Sequence, residues 1–254
     1  MSEWIRACDA LAVRWTVVPT PQPAALARHP HLAEALPVGW VRVDLHSHTM
    51  WSGDSTTTPD EVAESVVASG IDVLCITDHN AIRGAVELSG SLPCRVIVGE
   101  ELRTHAGEII GLFLTERIPM GTPPAEAART IREQGGVVYV PHPFDPMRRN
   151  MAEPALYELA HAGLLDAVEV FNAKTSLRSL NDRAAAFAEE FDLAAGAGSD
   201  GHVPNALGAA YVEMPDFDGP ADFLSKLRLG RIVGHHWDEH RPWSARILPS
   251  VSTE

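Results

Sequence analysis

The sequence predicts an α/β fold in which strands and helices alternate and close into a barrel. Short β-like runs alternate with helical patterns from residue 41 onward. Such strand–helix units build a mainly parallel sheet with helices outside it. About seven units fall within a chain of single-domain length, and this number favours a closed barrel over an open sheet.

Eight runs have the apolar or β-branched composition of strands. They cover residues 41–46, 71–77, 95–99, 108–114, 136–140, 167–171, 193–196 and 209–214. Only a short turn separates the third run from the fourth, so we expect these two to pair as a hairpin.

Three segments between these runs have the pattern of helices. Thr58 is a cap residue followed by Pro59 and two acids, which predicts a helix over residues 59–69. Residues 123–134 and 179–191 have the same kind of pattern.

Residues 1–40 differ from the rest and are predicted to be an N-terminal extension of a barrel domain over residues 41–254. One apolar run at 11–18 is followed by a stretch rich in proline and alanine at 19–37. The extension is expected to pack on the barrel or on a neighbouring subunit, as a lid or as the contact of a homo-oligomer.

Composition limits the classes of partner. A net charge of −14 argues against a protein that coats long nucleic acid, which needs a basic face. A small phosphorylated substrate remains compatible, because bound cations reverse the local field. No stretch approaches the ~20 apolar residues of a membrane span, and the N-terminus lacks a signal pattern, so we expect a cytoplasmic protein without a membrane partner. Cys8, Cys75 and Cys94 lack metal-type spacing and are expected to be reduced thiols.

Ionisable side chains gather at the predicted carboxyl ends of the strands, where barrel enzymes place their active sites. They are His46, His48, Asp54, Asp78, His79, Glu100, His142, Asp200 and His202. Each alone has a simpler explanation, such as a hydrogen-bonded histidine or a helix cap. Burying all of them together is costly unless cations compensate them, so the joint pattern predicts metal binding.

The donor types narrow the choice of ion. Imidazole and carboxylate without thiolate suit zinc, manganese or iron. The donors exceed what one ion takes, so we expect two or three divalent ions with Glu100 as a bridge.

These residues occur in motifs that resemble a known family. The motifs are Asp44-Leu45-His46-Ser47-His48-Thr49, Ile76-Thr77-Asp78-His79-Asn80, Gly99-Glu100, Pro141-His142-Pro143 and Ser199-Asp200-Gly201-His202. Their order resembles that of the PHP (polymerase and histidinol phosphatase) superfamily over residues 41 to 235. The resemblance implies a distorted (β/α)7 TIM-like barrel, a site for two or three metal ions, and hydrolysis of phosphate esters.

The resemblance also implies a ligand set. By motif, the ligands are His46, His48, Glu100, His142, Asp200 and His202, with Asp54 and His79 at a third ion. Asp54 stands one residue later than the family's usual acid. Glu108 occupies a position where many relatives have histidine, so either Glu108 or His105 is expected to serve there.

Basic side chains near these motifs are candidates for binding phosphate. They are Arg148, Arg149, Arg103, Lys174 and Arg178. Arg148 is the first choice because its loop follows His142, and Asn172 is expected to orient substrate or ligands.

We therefore expect hydrolysis of a phosphate monoester on a small sugar, nucleotide or amino-alcohol phosphate. A metal-bridging hydroxide would attack phosphorus, His202 or Asp200 would pass a proton to the leaving group, and Asp78 would orient a ligand. The alternatives are a phosphodiesterase or short-oligonucleotide exonuclease, another ester hydrolase, and a non-catalytic metal-binding module.

Overall fold

A computed structural model of the chain describes residues 35–237. The predicted extension over residues 1–40 therefore lies almost entirely outside the described residues, as does the end of the predicted barrel domain after residue 237.

Within this part of the chain, nine strands form one continuous sheet in the order β7-β6-β5-β4-β3-β2-β1-β8-β9. They are β1 (Trp40–Ser47), β2 (Val73–Ile76), β3 (Arg95–Thr104), β4 (Gly107–Leu112), β5 (Val137–Val140), β6 (Ala167–Asn172), β7 (Ala194–Gly198), β8 (Ala210–Pro215) and β9 (Arg231–Gly234). The predicted hairpin is confirmed, because β3 and β4 pair in antiparallel register.

The sheet curls until β7 meets β1, which confirms the predicted TIM-like barrel. The backbone N–H of Asp200 donates to the carbonyl of His46 over 2.8 Å, and that of His48 donates to Gly201 over 3.1 Å. Gly198 permits this approach, because a Cβ atom there would collide with the side chain of His46. The sheet is more mixed than predicted, because β4, β8 and β9 run antiparallel to their neighbours.

Six α-helices are described between the strands: α1 (Pro59–Ser69), α2 (Arg83–Leu88), α3 (Pro124–Glu133), α4 (Glu153–His161), α5 (Arg178–Glu190) and α6 (Gly219–Leu227). The prediction for α1 is confirmed to the residue, and Thr58 and Glu61 form a reciprocal capping box. Helices α2, α4 and α6 were not predicted; they are short, and α6 begins at a Gly-Pro pair that is typical of a turn. Among the helices of residues 35–237, none is long and apolar enough to cross a membrane.

Strand β3 is longer than predicted, and this changes which side chains reach the barrel interior. It continues from Arg95 to Thr104 instead of ending at residue 99. Alternate side chains of a strand point to opposite faces. Ile97 lies in the interior core, whereas Leu102 packs in the second core beneath the helices. Glu101 therefore shares the interior face, and Glu100 shares the outer one.

Candidate metal centre

Nine ionisable side chains meet at one end of the barrel, where β1, β2, β5 and β7 finish and β4 begins. They are His46, His48, His79, His142, His202, Asp54, Glu101, Glu108 and Asp200. The structure therefore brings together all the expected ligands except Glu100, and it adds Glu101.

Glu101 lies at the middle of this cluster. Its Oε2 is 3.3 Å from Nε2 of His46, 3.2 Å from Nε2 of His48 and 3.1 Å from Nδ1 of His79. Its Oε1 is 3.1 Å from Nε2 of His142. Burial would raise the pKa of Glu101, but His46 and the hydrogen bond from His142 hold it well below its usual range.

The expectation that Glu100 bridges the ions is corrected by this geometry. Glu100 points to the outer face of β3, where its Oε2 accepts a hydrogen bond from the backbone N–H of Ile118 over 2.8 Å. Burial raises the pKa of Glu100 to about 7. The neighbouring Glu101 takes the place in the cluster that the sequence assigned to Glu100.

Asp54 reaches the cluster in spite of its late position in the sequence. A short 3-10 helix, Met50–Ser52, ends at Gly53 with a positive φ of 80°, and this turn directs the next residue inward. Oδ2 of Asp54 lies 3.1 Å from Nε2 of His79 and 3.4 Å from Nε2 of His202. Burial would raise the pKa of Asp54, but the hydrogen bonds with His202 and His79 hold that pKa well below its usual range.

Glu108 rather than His105 faces the cluster. The buried Glu108 lies 3.6 Å from Nδ1 of His79 and accepts a hydrogen bond from Nε of Arg103 over 3.2 Å. His105 is exposed in the turn between β3 and β4. Burial and the nearby Glu101 carboxylate raise the pKa of Glu108, so a cation between the two carboxylates would be favourable.

The histidines are oriented so that ring nitrogens converge. Nδ1 of His46 contacts Glu169 at 3.1 Å, and Nδ1 of His48 contacts the hydroxyl of Ser52 at 3.0 Å. These contacts leave the Nε2 atoms of the two rings 3.0 Å apart and both beside Glu101. A second contact that fixes one ring nitrogen is typical of metal-bound histidine.

Titration and unpartnered atoms also fit a cation. Burial and the nearby His202 lower the pKa of His48 to about 4, so its ring is neutral and able to ligate at neutral pH. Burial would lower the pKa of His79, but Asp54 and Glu101 raise it to about 9, so the surroundings favour positive charge. Nδ1 of His142 is buried and has no hydrogen-bond partner, and Nδ1 of His79 lies 3.1 Å from Oε2 of Glu101 without the alignment of a hydrogen bond. The donor set therefore fits divalent ions.

Two buried carboxylates support the cluster from outside. Asp44 accepts hydrogen bonds from the backbone N–H groups of His46, Ser199 and Gly208, and so joins β1 to the segment after β7. Asp78 accepts from the backbone N–H and the hydroxyl of Thr49, each over 2.6 Å. Asp78 was expected to orient a ligating histidine, and the structure instead places it against the loop that leads from β1.

The basic candidates fall into two groups. Arg103, Arg148 and Arg149 line a pocket of about 150 Å³ that opens onto the cluster. Lys174 lies beside the pocket, with Nζ 2.9 Å from Nδ1 of His202. Arg178 is 92% exposed and pairs with Asp182 on its own helix, so it does not join the site.

Asn172 and Glu169 form a buried support for Asp200 and His46. Nδ2 of Asn172 donates to Glu169 over 2.9 Å and to Asp200 over 3.3 Å. Asn172 was expected to orient substrate or ligands, and the structure places its amide against Asp200. Sequence reasoning missed Glu169, although its position inside the apolar run of β6 is the signal of a buried carboxylate with a specific partner.

Comparisons with known proteins give a consistent result. The model of a family described as the PHP domain matches residues 44–127, and that of a family described as PHP-associated matches residues 178–232. Two uncharacterized proteins of Methanocaldococcus jannaschii are similar. One is 41% identical over 146 residues, covering 52% of this chain and 82% of that protein; the other is 36% identical over 198 residues, covering 74% and 80%.

A solved structure shares the fold. It is a two-domain protein from Bacteroides vulgatus described as containing a predicted PHP-like metal-dependent phosphoesterase. The TM-score is 0.61 at 18% identity, over 79% of this chain and 68% of that one. At this identity the likeness supports the fold alone.

Proposed function

We propose a function from the premise that this chain belongs to the PHP superfamily of metal-dependent phosphoesterases. The proposed function is hydrolysis of a phosphate monoester of a small metabolite. One observation carries the proposal: three arginines line the same small pocket as the histidine and carboxylate donors. Guanidinium groups bind pairs of phosphate oxygens, and the donor cluster lies where phosphorus would then be held.

We assign the donors to three ion positions, the first two of which share Glu101. His46, His48, Glu101 and Asp200 would hold the first ion; Glu101, Glu108 and His142 the second; and Asp54, His79 and His202 a third. The donor atoms of His46, His48 and Glu101, and those of the third set, lie within 4.8 Å of one another. Oδ1 of Asp200 adds to the first set at 3.5 Å from Nε2 of His48, and Nε2 of His142 adds to the second at 3.1 Å from Oε1 of Glu101. Manganese, zinc or iron suits this mixture. When bound, the ions supply a water of lowered pKa and neutralise charge on the phosphoryl group.

Arg148 and Arg103 are proposed to grip the phosphoryl oxygens. Nε of Arg148 lies 3.7 Å from Oδ2 of Asp200, and Arg103 is held by Glu108 on the neighbouring strand. Arg103 is thus hydrogen-bonded to one carboxylate of the cluster, Arg148 forms an ion pair with another, and both line the pocket. Such preorganised charge stabilises the transferring group without reorganisation at the moment of reaction.

His202 is the proposed proton donor to the leaving group when only two ions are bound. Its ring lines the pocket and its Nε2 faces Asp54. Its Nδ1 lies 2.8 Å from the backbone carbonyl of Asp200, which fixes the ring. With three ions bound, His202 would instead hold an ion through Nε2 and would not be available as the proton donor. The number of ions per chain therefore decides the role of His202.

The size and charge of the site indicate the class of substrate. A pocket of about 150 Å³ holds a phosphoryl group and part of a small leaving group. Together with the net charge of −14, this disfavours a long nucleic acid.

Hydrolysis of a small phosphodiester is the second candidate. It is favoured by Met147, which lines the pocket while being 85% exposed and so offers an apolar surface to a second organic group.

The test uses the purified chain loaded with manganese or zinc, and it measures phosphate released from sugar, nucleotide and amino-alcohol monophosphates. We expect turnover of at least one monoester, and loss of that turnover in His46→Ala. Arg178→Ala is the matched control and should retain activity, because Arg178 lies outside the site. Cleavage of a nucleotide diester with no release from any monoester would overturn the monoester proposal in favour of the second candidate.

A further inference from the structure

Two loops carry the basic side chains that face Asp200. The arginine loop, residues 143–151, follows β5 and carries Arg148; the lysine loop, residues 173–177, follows β6 and carries Lys174. Arg148 approaches Oδ2 of Asp200 at 3.7 Å, and Lys174 approaches Oδ1 at 3.6 Å. The two cations therefore approach different oxygens of the same carboxylate, that of Asp200.

Asp145 is a buried carboxylate that takes no part in the cluster and joins these two loops. Its Oδ1 accepts the backbone N–H of Met147 within the arginine loop over 2.9 Å. Its Oδ2 accepts the hydroxyl of Thr175, in the lysine loop, also over 2.9 Å. Asp145 and Thr175 are both buried, and each is 4% exposed. A buried polar group is stable when it is hydrogen-bonded, and here both carboxyl oxygens have partners.

The backbone around Asp145 is anchored at both ends. The N–H of Asp145 donates to the carbonyl of His142, and the N–H of Arg148 donates to the carbonyl of Asp145 over 3.0 Å. Farther along, the carbonyl of Arg149 accepts the N–H of Glu108 over 2.9 Å. A shift of Asp145 would therefore move Arg148 relative to the ligand end of the barrel.

We propose that Asp145 and Thr175 are positioning residues whose hydrogen bond sets Arg148 and Lys174 at a fixed separation around the phosphoryl group. The inference rests on the proposed function, since it takes the bound group to be phosphate. Neither residue lines the pocket. They act through the loops, because one hydrogen bond links the segment before Arg148 to the segment after Lys174.

The decisive variant is Thr175→Val, which keeps the shape of the side chain and removes the hydroxyl. Thr175→Ser is its matched control, because it keeps the hydroxyl. We expect inorganic phosphate to bind the metal-loaded Thr175→Val protein about tenfold more weakly, which corresponds to about 1.4 kcal/mol. Metal content should be unchanged, and Thr175→Ser should bind nearly as the wild type does. Equal binding by Thr175→Val, or equal loss in both variants, would overturn the proposal.

Coupling between the loops gives an independent measurement. In double-variant cycles, the effect of Thr175→Val on phosphate binding should shrink when Arg148→Ala or Lys174→Ala is already present. Strictly additive losses would mean that the hydrogen bond does not act through these cations, and would contradict the inference.

Hydrogen exchange separates failure of this inference from failure of the proposed function. Thr175→Val should speed amide exchange across the arginine loop even without phosphate, and unchanged exchange would count against the link itself. In the wild type, adding phosphate should slow exchange in both loops together, a test that needs no variant to fold. If phosphate slows neither loop while Thr175→Val still speeds exchange, the link stands and the phosphatase proposal fails. Slowing in the arginine loop alone would refute the coupling.

Discussion

Glu100→Gln should change the stability of the fold, and Glu101→Gln should change metal binding, because these neighbours occupy opposite faces of β3. Glu100 is 0% exposed, one of its oxygens has no hydrogen-bond partner, and burial raises its pKa from 4.5 to about 7. Glu101 faces the histidines on the other side. The first substitution therefore tests stability and the second tests metal binding.

The magnitude for Glu100 follows from linkage between proton binding and folding. A carboxyl group with a raised pKa in the folded state favours folding while it is protonated. That contribution is complete below pH 4.5 and is lost as the pH rises through about 7. A shift of roughly 2.5 pKa units corresponds to about 3 kcal/mol. Glutamine carries no charge, so Glu100→Gln should be more stable than the wild type by up to about 3 kcal/mol at pH 8, with little difference at pH 4.5.

Urea denaturation at pH 4.5, 6 and 8 measures this difference, with metal removed by a chelator so that ions do not contribute. Elemental analysis of the metal-loaded proteins provides the second readout. Glu100→Gln should keep the wild-type metal content, and Glu101→Gln should lose at least one ion per chain. A stability gain that does not vary with pH, or equal loss of metal in both variants, would refute the assignment of the two faces.

Three further substitutions test the site. Glu108→His should raise the affinity for zinc relative to manganese by about tenfold, because imidazole is the softer donor. Competition with a chromophoric chelator measures the two affinities. An unchanged ratio of affinities would exclude Glu108 as a ligand. Arg148→Ala should weaken phosphate binding by about 10- to 100-fold, whereas Arg178→Ala should leave phosphate binding unchanged. Calorimetric titration with phosphate measures both affinities. Equal effects of the two substitutions would contradict the assignment of Arg148 to the phosphate site. Gly107→Ala should cost about 2 kcal/mol, because φ is +124° and a Cβ would collide with the arginine loop. Gly121→Ala, with φ of +86° and open space, should cost less in thermal denaturation, and equal costs would show that the collision is relieved.

The sequence predicted most of the site because its donors stand next to strand ends, where the fold leaves little freedom. His46 and His48 lie at the end of β1, and Asp200 and His202 follow β7. Once a barrel is assumed, the carboxyl ends of its parallel strands meet at one rim. The order of the strands then predicts where these side chains lie, and it also predicts that they are buried together in one cluster.

The error at Glu100 arose because nothing local marks the alternation of β3. Residues Val96, Ile97 and Val98 are all apolar, so the two faces cannot be distinguished by period. Two adjacent glutamates then follow, and the choice between them depends on where the strand ends. The antiparallel pairing with β4 carries β3 on to Thr104, and that pairing is a long-range property of the sheet.

Asp145 and Thr175 escaped sequence reasoning for a related reason. They lie 30 residues apart on two loops, and a hydrogen bond between loops leaves no periodic trace in either. The β3–β4 hairpin, by contrast, places both a proposed substrate cation and a proposed ion ligand in direct cross-strand register, at Arg103 and Glu108. Because Arg103 pairs with Glu108 itself, a change of ligand at position 108 also changes what holds Arg103 toward the phosphoryl group. Ion preference and phosphate affinity should therefore vary together in substitutions at this hairpin, whereas substitutions at Thr175 should alter phosphate affinity without changing ion preference.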